Sequence, residues 1–173
     1  MLIDRREWLQ GASTVALLGL MPAAARAAGA ASDAAETLLS GMADALLAEF
    51  PENASYLGLD KGARAGLSAR LTDRSPAGVG RQAAAAAARL KQLQAVDRAA
   101  LTPAAALDVD VVETAHALAV EGYRFPYGDV VGLNSGVSYR NAPYVVAQNT
   151  GAFVETPDFL DSQHRVESAA DAD

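Results

Sequence analysis

Apolar residues recur at spacings of three and four in three stretches of the chain, the period of an amphipathic helix. In the first, Leu39, Met42, Leu46 and Phe50 form one stripe, which predicts a helix over residues 32–50. Asp33 and Glu36 would suit its positive N-terminal end, and Pro51 would stop it. The second helix is predicted over 77–96. Its alanine run, Ala83 to Ala88, is the strongest helix-forming composition available, and Leu90 and Leu93 continue its apolar face. The third opens at Thr102-Pro103, an N-cap followed by a proline where a missing N–H costs nothing. Asp108 and Asp110 lie near its start, as the helix dipole prefers. Leu107, Val111, Ala115 and Leu118 make one stripe on it, and Val109, Val112, Ala119 and Val120 make a second. A helix apolar on two sides is expected to be sandwiched between other elements.

Between and beyond these helices the period is lost. Residues 51–76 carry Gly58, Gly62 and Gly66 and then Asp73-Arg74-Ser75-Pro76, which reads as a loop with one short helical turn around 63–71. Residues 123–141 hold Pro126, Gly128, Gly132 and Gly136 among scattered Val and Tyr, the texture of a short hairpin or an ordered loop. Thr156-Pro157-Asp158 repeats the cap-and-proline signal and predicts a short helix to about Gln163. Ser168 opens what reads as another helix, and the expectation is that the sequence stops inside it. The fold class expected is mainly α: a bundle-like N-terminal portion of a larger helical protein, with irregular loops and one short hairpin.

The first 27 residues read as an address instead of a packed element. Arg5-Arg6 precede Trp8-Leu9, an apolar run follows from Gly11 to Met21, and Ala25-Arg26-Ala27 has the small-residue form of a cleavage site. The paired arginines point to the twin-arginine route, with cleavage after Ala27 and a periplasmic or secreted product. The apolar run is short of the roughly 20 residues a membrane span needs, so no membrane association is expected after cleavage.

Charge and cysteine content narrow the classes further. Cleavage would remove three arginines, one aspartate and one glutamate, so the net charge of −7 becomes −8. An acidic chain without a basic patch is a poor match for nucleic acid or for an anionic lipid surface. The chain has no cysteine, which excludes disulfides, thiolate zinc ligands and a cysteine nucleophile. That composition fits folding in a reducing compartment before export.

Candidate chemistry is sparse. Glu113-x-x-His116 has the spacing of half a carboxylate-bridged di-metal site, but no second pair exists, and His116 falls on an apolar helix face. A packing role is the stronger reading for it. The other histidine, His164, stands alone near a helix end. Asn134-Ser135-Gly136-Val137-Ser138-Tyr139 lacks the G-x-S-x-G spacing of a nucleophile elbow. Tyr139-x-Asn141 has no S-x-x-K or K-T-G beside it, and no phosphate-binding or dinucleotide glycine motif occurs. Asn53-x-Ser55 fits a glycosylation acceptor, an incidental match in a bacterial-type exported protein. From the residues alone, no catalytic, cofactor-binding or metal-ligating residue is assigned.

Several segments together resemble a known family. They are Phe50-Pro51-Glu52-Asn53-Ala54-Ser55-Tyr56-Leu57-Gly58-Leu59-Asp60 with Asp73-Arg74-Ser75, and Asp110-Val111-Val112-Glu113-Thr114-Ala115. Pro143-Tyr144-Val145-Val146-Ala147-Gln148-Asn149-Thr150-Gly151-Ala152-Phe153 and Pro157-Asp158-Phe159-Leu160-Asp161-Ser162-Gln163-His164 complete the series. In order and spacing they resemble the bacterial domain of unknown function 885, an exported, mostly helical group that looks like zinc metallopeptidases. The resemblance implies a zinc site on a downstream H-E-x-x-P-G-H-H helix, with a peptide as substrate of the full-length protein. This sequence contains no His-Glu pair, so no catalytic residue is carried over. What the resemblance implies for residues 28–173 is the N-terminal portion of such a hydrolase, inactive alone. The competing expectation is a non-catalytic exported helical module for binding or structure.

Overall fold

The computed structural model describes residues 23–125, 152–164 and 169. Five α-helices carry the described fold: α1 (Ala23–Glu49), α2 (Pro51–Tyr56), α3 (Pro76–Gln94), α4 (Pro103–Gly122) and α5 (Ala152–Ser162). Two 3₁₀ segments, Gly62–Leu67 and Arg98–Ala100, join them, and no strand occurs among the described residues. The fold is mainly α. The expected hairpin beyond Phe125, the address segment up to Pro22 and, apart from Ala169, the helix expected from Ser168 lie outside the described residues.

Three helices form the core. α3 packs most extensively against α4, and α4 also packs on α1. Ser32 of α1 meets Thr102 at the start of α4, where its hydroxyl accepts from the Thr102 amide at 3.0 Å. At the other end, Leu46 and Phe50 share a small cavity with His116, Ala119 and Tyr123. α1 and α4 therefore run side by side in one direction, and α3 runs back against both. Ala35, Met42, Leu93 and Val109 form the centre, with Leu38, Leu39, Val96, Leu101 and Val112 packed around it.

The stripe expected on α1 is buried: Met42, Leu46 and Phe50 are all in the core, joined by Leu47. Its start differs. The helix begins by Ala23 because alanines fill most of the turns before Ser32, and alanine is the best helix former. Ser32 is therefore interior and donates to the Ala28 carbonyl at 2.7 Å. Asp33 and Glu36 do not sit in the first turn, so they make no use of the helix dipole there.

α2 is a helix where a loop was expected. Six residues are too few to show a period or to stand alone. Tertiary burial stabilises it: Ala54 is fully buried and Pro51 and Asn53 nearly so. Pro51 breaks α1 and also opens α2 at the first helical position. The end is a Schellman motif, in which the Gly58 amide donates to the Ser55 carbonyl at 3.0 Å and the Leu59 amide to Ala54 at 2.8 Å. Gly58 adopts φ 66°, a left-handed conformation that side chains disfavour.

α3 starts as its Ser-Pro step dictates. The Ser75 hydroxyl accepts from the Gly78 amide at 3.1 Å, and Pro76 follows the cap. α4 starts likewise, with the Thr102 hydroxyl accepting from Ala105 at 3.4 Å. No acidic residue lies in its first turn; Asp110 accepts from the Arg98 Nε at 3.0 Å instead. Among the described residues, contacts cover one of the two apolar faces expected on α4. Val109 and Ala119 are buried and Val112 is partly so, while Leu107, Val111 and Leu118 are exposed.

α5 begins upstream of the expected Thr156 cap and carries Pro157 inside it. Proline lacks the N–H that would reach the carbonyl four residues back, so one ladder bond is lost there. Phe159 anchors this helix: it is buried and its ring lies 5.6 Å from that of Tyr56.

Candidate functional site

The sequence-derived chemistry does not converge. Glu113 turns to Arg98, which it pairs through the guanidinium Nη2. His116, three residues on, is buried, and its Nδ1 lies 2.8 Å from the Val112 carbonyl. A carbonyl can only accept, so Nδ1 is the donor in this contact. Nε2 is buried without a hydrogen-bond partner among the described residues. His164 is far along the chain, its ring tilted 6.0 Å from Phe159. Among the described residues, no group of three or more His, Cys, Asp or Glu is placed to hold a metal ion. Asn53, the glycosylation candidate, is buried in α2 and donates to the Phe50 carbonyl at 3.4 Å. The serine and tyrosine motifs of 134–141 lie outside the described residues.

What the structure brings together is a different set. A cleft of about 330 Å³ opens between the C-terminal half of α1, the bend at Arg70–Asp73 and the first half of α3. Ala48, Glu49, Leu71, Gln82 and Ala85 line it, together with Arg70, Asp73 and Arg81. That volume is at the small end of ligand pockets, which run from about 300 to 1,000 Å³.

Asp73 organises one wall. Its carboxylate accepts from the Ser75 amide at 3.0 Å and pairs with Arg81, and its carbonyl accepts from Gln82 Nε2 at 3.1 Å. The hydrogen bonds from Ser75, side chain and then backbone, hold its carboxyl below the usual range, with Arg81 adding to them. Gly78 must be glycine here: a Cβ would stand 2.3 Å from the Asp73 carbonyl oxygen. The close approach lets the bend lie directly on the first turn of α3.

Glu49 forms the opposite wall and is tied by a fork-to-fork ion pair to Arg89, whose Nη1 donates to Oε2 at 3.1 Å. The pair links α1 to α3 with the Arg89 side chain only 10 % exposed. Glu49 and Gln82 also line the inner cavity of about 10 Å³ on which His116 sits, so the cleft floor and the His116 chamber share a wall.

The short-range signals of this site, Asp73 to Pro76, were legible as a turn. The Glu49–Arg89 pair was not, since the partners are 40 residues apart and no local period links them. No described helix is long and apolar enough to cross a membrane. A family model described as a bacterial protein of unknown function (DUF885) matches residues 51–173. No curated protein and no solved structure matches the chain.

Proposed function

Because the chain belongs to the DUF885 family of bacterial proteins, we propose that it is the N-terminal helical part of an exported, metallopeptidase-like hydrolase. The observation that carries this reading is the extent of the family match. It spans the ordered segments from Pro51-Glu52-Asn53 through Asp158-Phe159-Leu160 on which the resemblance rests. The H-E-x-x-P-G-H-H motif to which the resemblance assigns the metal does not occur in these 173 residues.

The described residues do not fit a zinc ion. Zinc needs three or four convergent nitrogen, sulfur or oxygen ligands. His116 is buried in the core between α3 and α4, Glu113 is committed to Arg98, and His164 packs on Phe159. No hydrolytic step is therefore derived through these side chains. In this reading α1–α4 supply a helical wall, and the cleft beside α3 is a surface against which substrate or the catalytic part can lie.

The test is to read the genomic sequence beyond the codon for Asp173 and assay the product. We expect the frame, or the one next to it, to encode H-E-x-x-P-G-H-H. The longer product should cleave peptides, and lose that activity when the motif glutamate is changed to glutamine. A stop codon with no such motif downstream, or a longer product without zinc-dependent peptidase activity, would sink the proposal. For export, replacing Arg5 and Arg6 by lysine should retain a reporter fusion in the cytoplasm. An unchanged distribution would remove the twin-arginine assignment.

A further inference from the structure

We propose that the cleft between α1 and α3 is a binding site for a small monocarboxylate, anchored by Arg70. Both acids on the cleft wall already have cationic partners. Glu49 is neutralised by Arg89, and Asp73 by Arg81. Arg70 has no ion pair or side-chain hydrogen bond among the described residues, so the cleft presents one unmatched guanidinium. A guanidinium offers a planar fork of donors that matches a carboxylate in two parallel hydrogen bonds.

The backbone that carries Arg70 is held on both sides. Its amide donates to the Leu67 carbonyl at 3.1 Å. The Thr72 amide donates to Glu52 Oε1 at 2.9 Å, and the Thr72 hydroxyl pairs with the same carboxylate. A tethered bend loses less entropy on binding than a free loop. Leu71, Ala48 and Ala85 give the cleft an apolar patch beside the cation, suited to a short aliphatic group next to the carboxylate.

The charge balance sets the ligand's charge. With Glu49 and Asp73 paired, Arg70 leaves a single positive charge on the cleft wall among the described residues, which balances a monoanion and not a dianion such as phosphate. The site stands independently of the peptidase reading. The carboxylate can belong to a peptide C-terminus or to a free organic acid.

Both sources can be separated by titrating the full chain with N-acetylalanine, N-acetylalaninamide, propionate and inorganic phosphate, following backbone amide signals by NMR. We expect N-acetylalanine to shift the Ala48, Leu71 and Ala85 signals with a Kd of about 1 mM. The amide should bind roughly tenfold more weakly, as should the Arg70→Gln variant, because the charge-assisted hydrogen bonds are gone. Arg70→Lys should fall between, since an ammonium keeps the charge but loses the fork. N-acetylalanine tighter than propionate would assign a peptide terminus, and equal affinities a simple organic acid; either upholds the site. Equal binding of acid and amide, phosphate tighter than both acids, no shift with either acid, or wild-type affinity in Arg70→Gln with an unchanged helical signal would each overturn it. Should Arg70→Gln unfold, the Arg70→Lys affinity decides: wild-type strength there removes the fork from the argument.

Discussion

The two faces of α4 have nearly the same apolar character and opposite fates. On one, Val109 is 0 % exposed and Ala119 4 %, held between α1 and α3. On the other, Leu107, Val111 and Leu118 are 60–64 % exposed. A period of 3.6 residues says that a stripe can be buried; it does not say which of two stripes the neighbouring helices will take. Here the choice falls to the face whose central residue is the compact Val109, opposite Leu93 and Met42. The exposed stripe is too small for a stable dimer by itself, since specific interfaces bury about 800 Å² per partner. Three aliphatic side chains left in water are also within the patch size an ordinary monomer tolerates, about 300–600 Å².

Substitutions sharpen this contrast. Leu93→Ala, on the side that faces Val109, should lower the urea-unfolding free energy by about 3 kcal/mol through lost burial and the cavity left behind. Leu118→Ser, on the open side, should change it by less than about 0.5 kcal/mol. Comparable losses for the two would mean that the outer face is covered in solution, and the contrast would collapse. Glu49→Gln leaves Arg89 buried without its counter-charge and should cost about 3 kcal/mol, toward the low end for a pair of which one member is partly solvated. Its denaturation midpoint should fall to nearly that of Leu93→Ala. A midpoint within error of the wild type would show that the pair does not hold α1 to α3.

Asp73 gives a smaller effect than Glu49 and one with a pH signature. Its carboxyl is held below its ordinary value in the folded chain by Ser75 and Arg81. A depressed folded value stabilises the protein above the unfolded value of about 3.9, and the contribution is lost as pH falls through the lower folded value. Asp73→Asn should therefore be less stable than wild type near neutral pH and converge with it in strong acid. Thermal melts across the acid limb measure this; parallel curves would remove the Asp73 network as the source.

Much of this architecture is written locally. Ser75-Pro76 and Thr102-Pro103 are cap-and-proline steps, and both open helices within a residue of the expected positions. The α1 stripe is legible for the same reason, because burial of one face imposes a period on the sequence. The start of α1 is not, since alanine favours helix without marking where one begins. α2 escaped because its stability comes from packing around Ala54 and Asn53, which a six-residue window cannot display. The cleft is the least legible feature. Its walls come from three segments, and Arg70, a plain surface arginine in the sequence, acquires meaning only where Glu49 and Asp73 already have partners.

Arg98 has a consequence for the order of folding. Its guanidinium donates to the Leu93 and Val96 carbonyls at 2.6 and 3.0 Å and pairs with Asp110 and Glu113. All of these partners lie within 15 residues of it along the chain. The Glu49–Arg89 pair must close a loop of 40 residues, a larger entropic cost before any contact forms. The α3–α4 hairpin is therefore the natural nucleus, with α1 docking afterwards. As a hypothesis for stopped-flow measurement, Arg98→Ala should mainly slow refolding and Glu49→Gln mainly speed unfolding. The reverse partition would place α1 in the nucleus and make the corner a late-forming clasp.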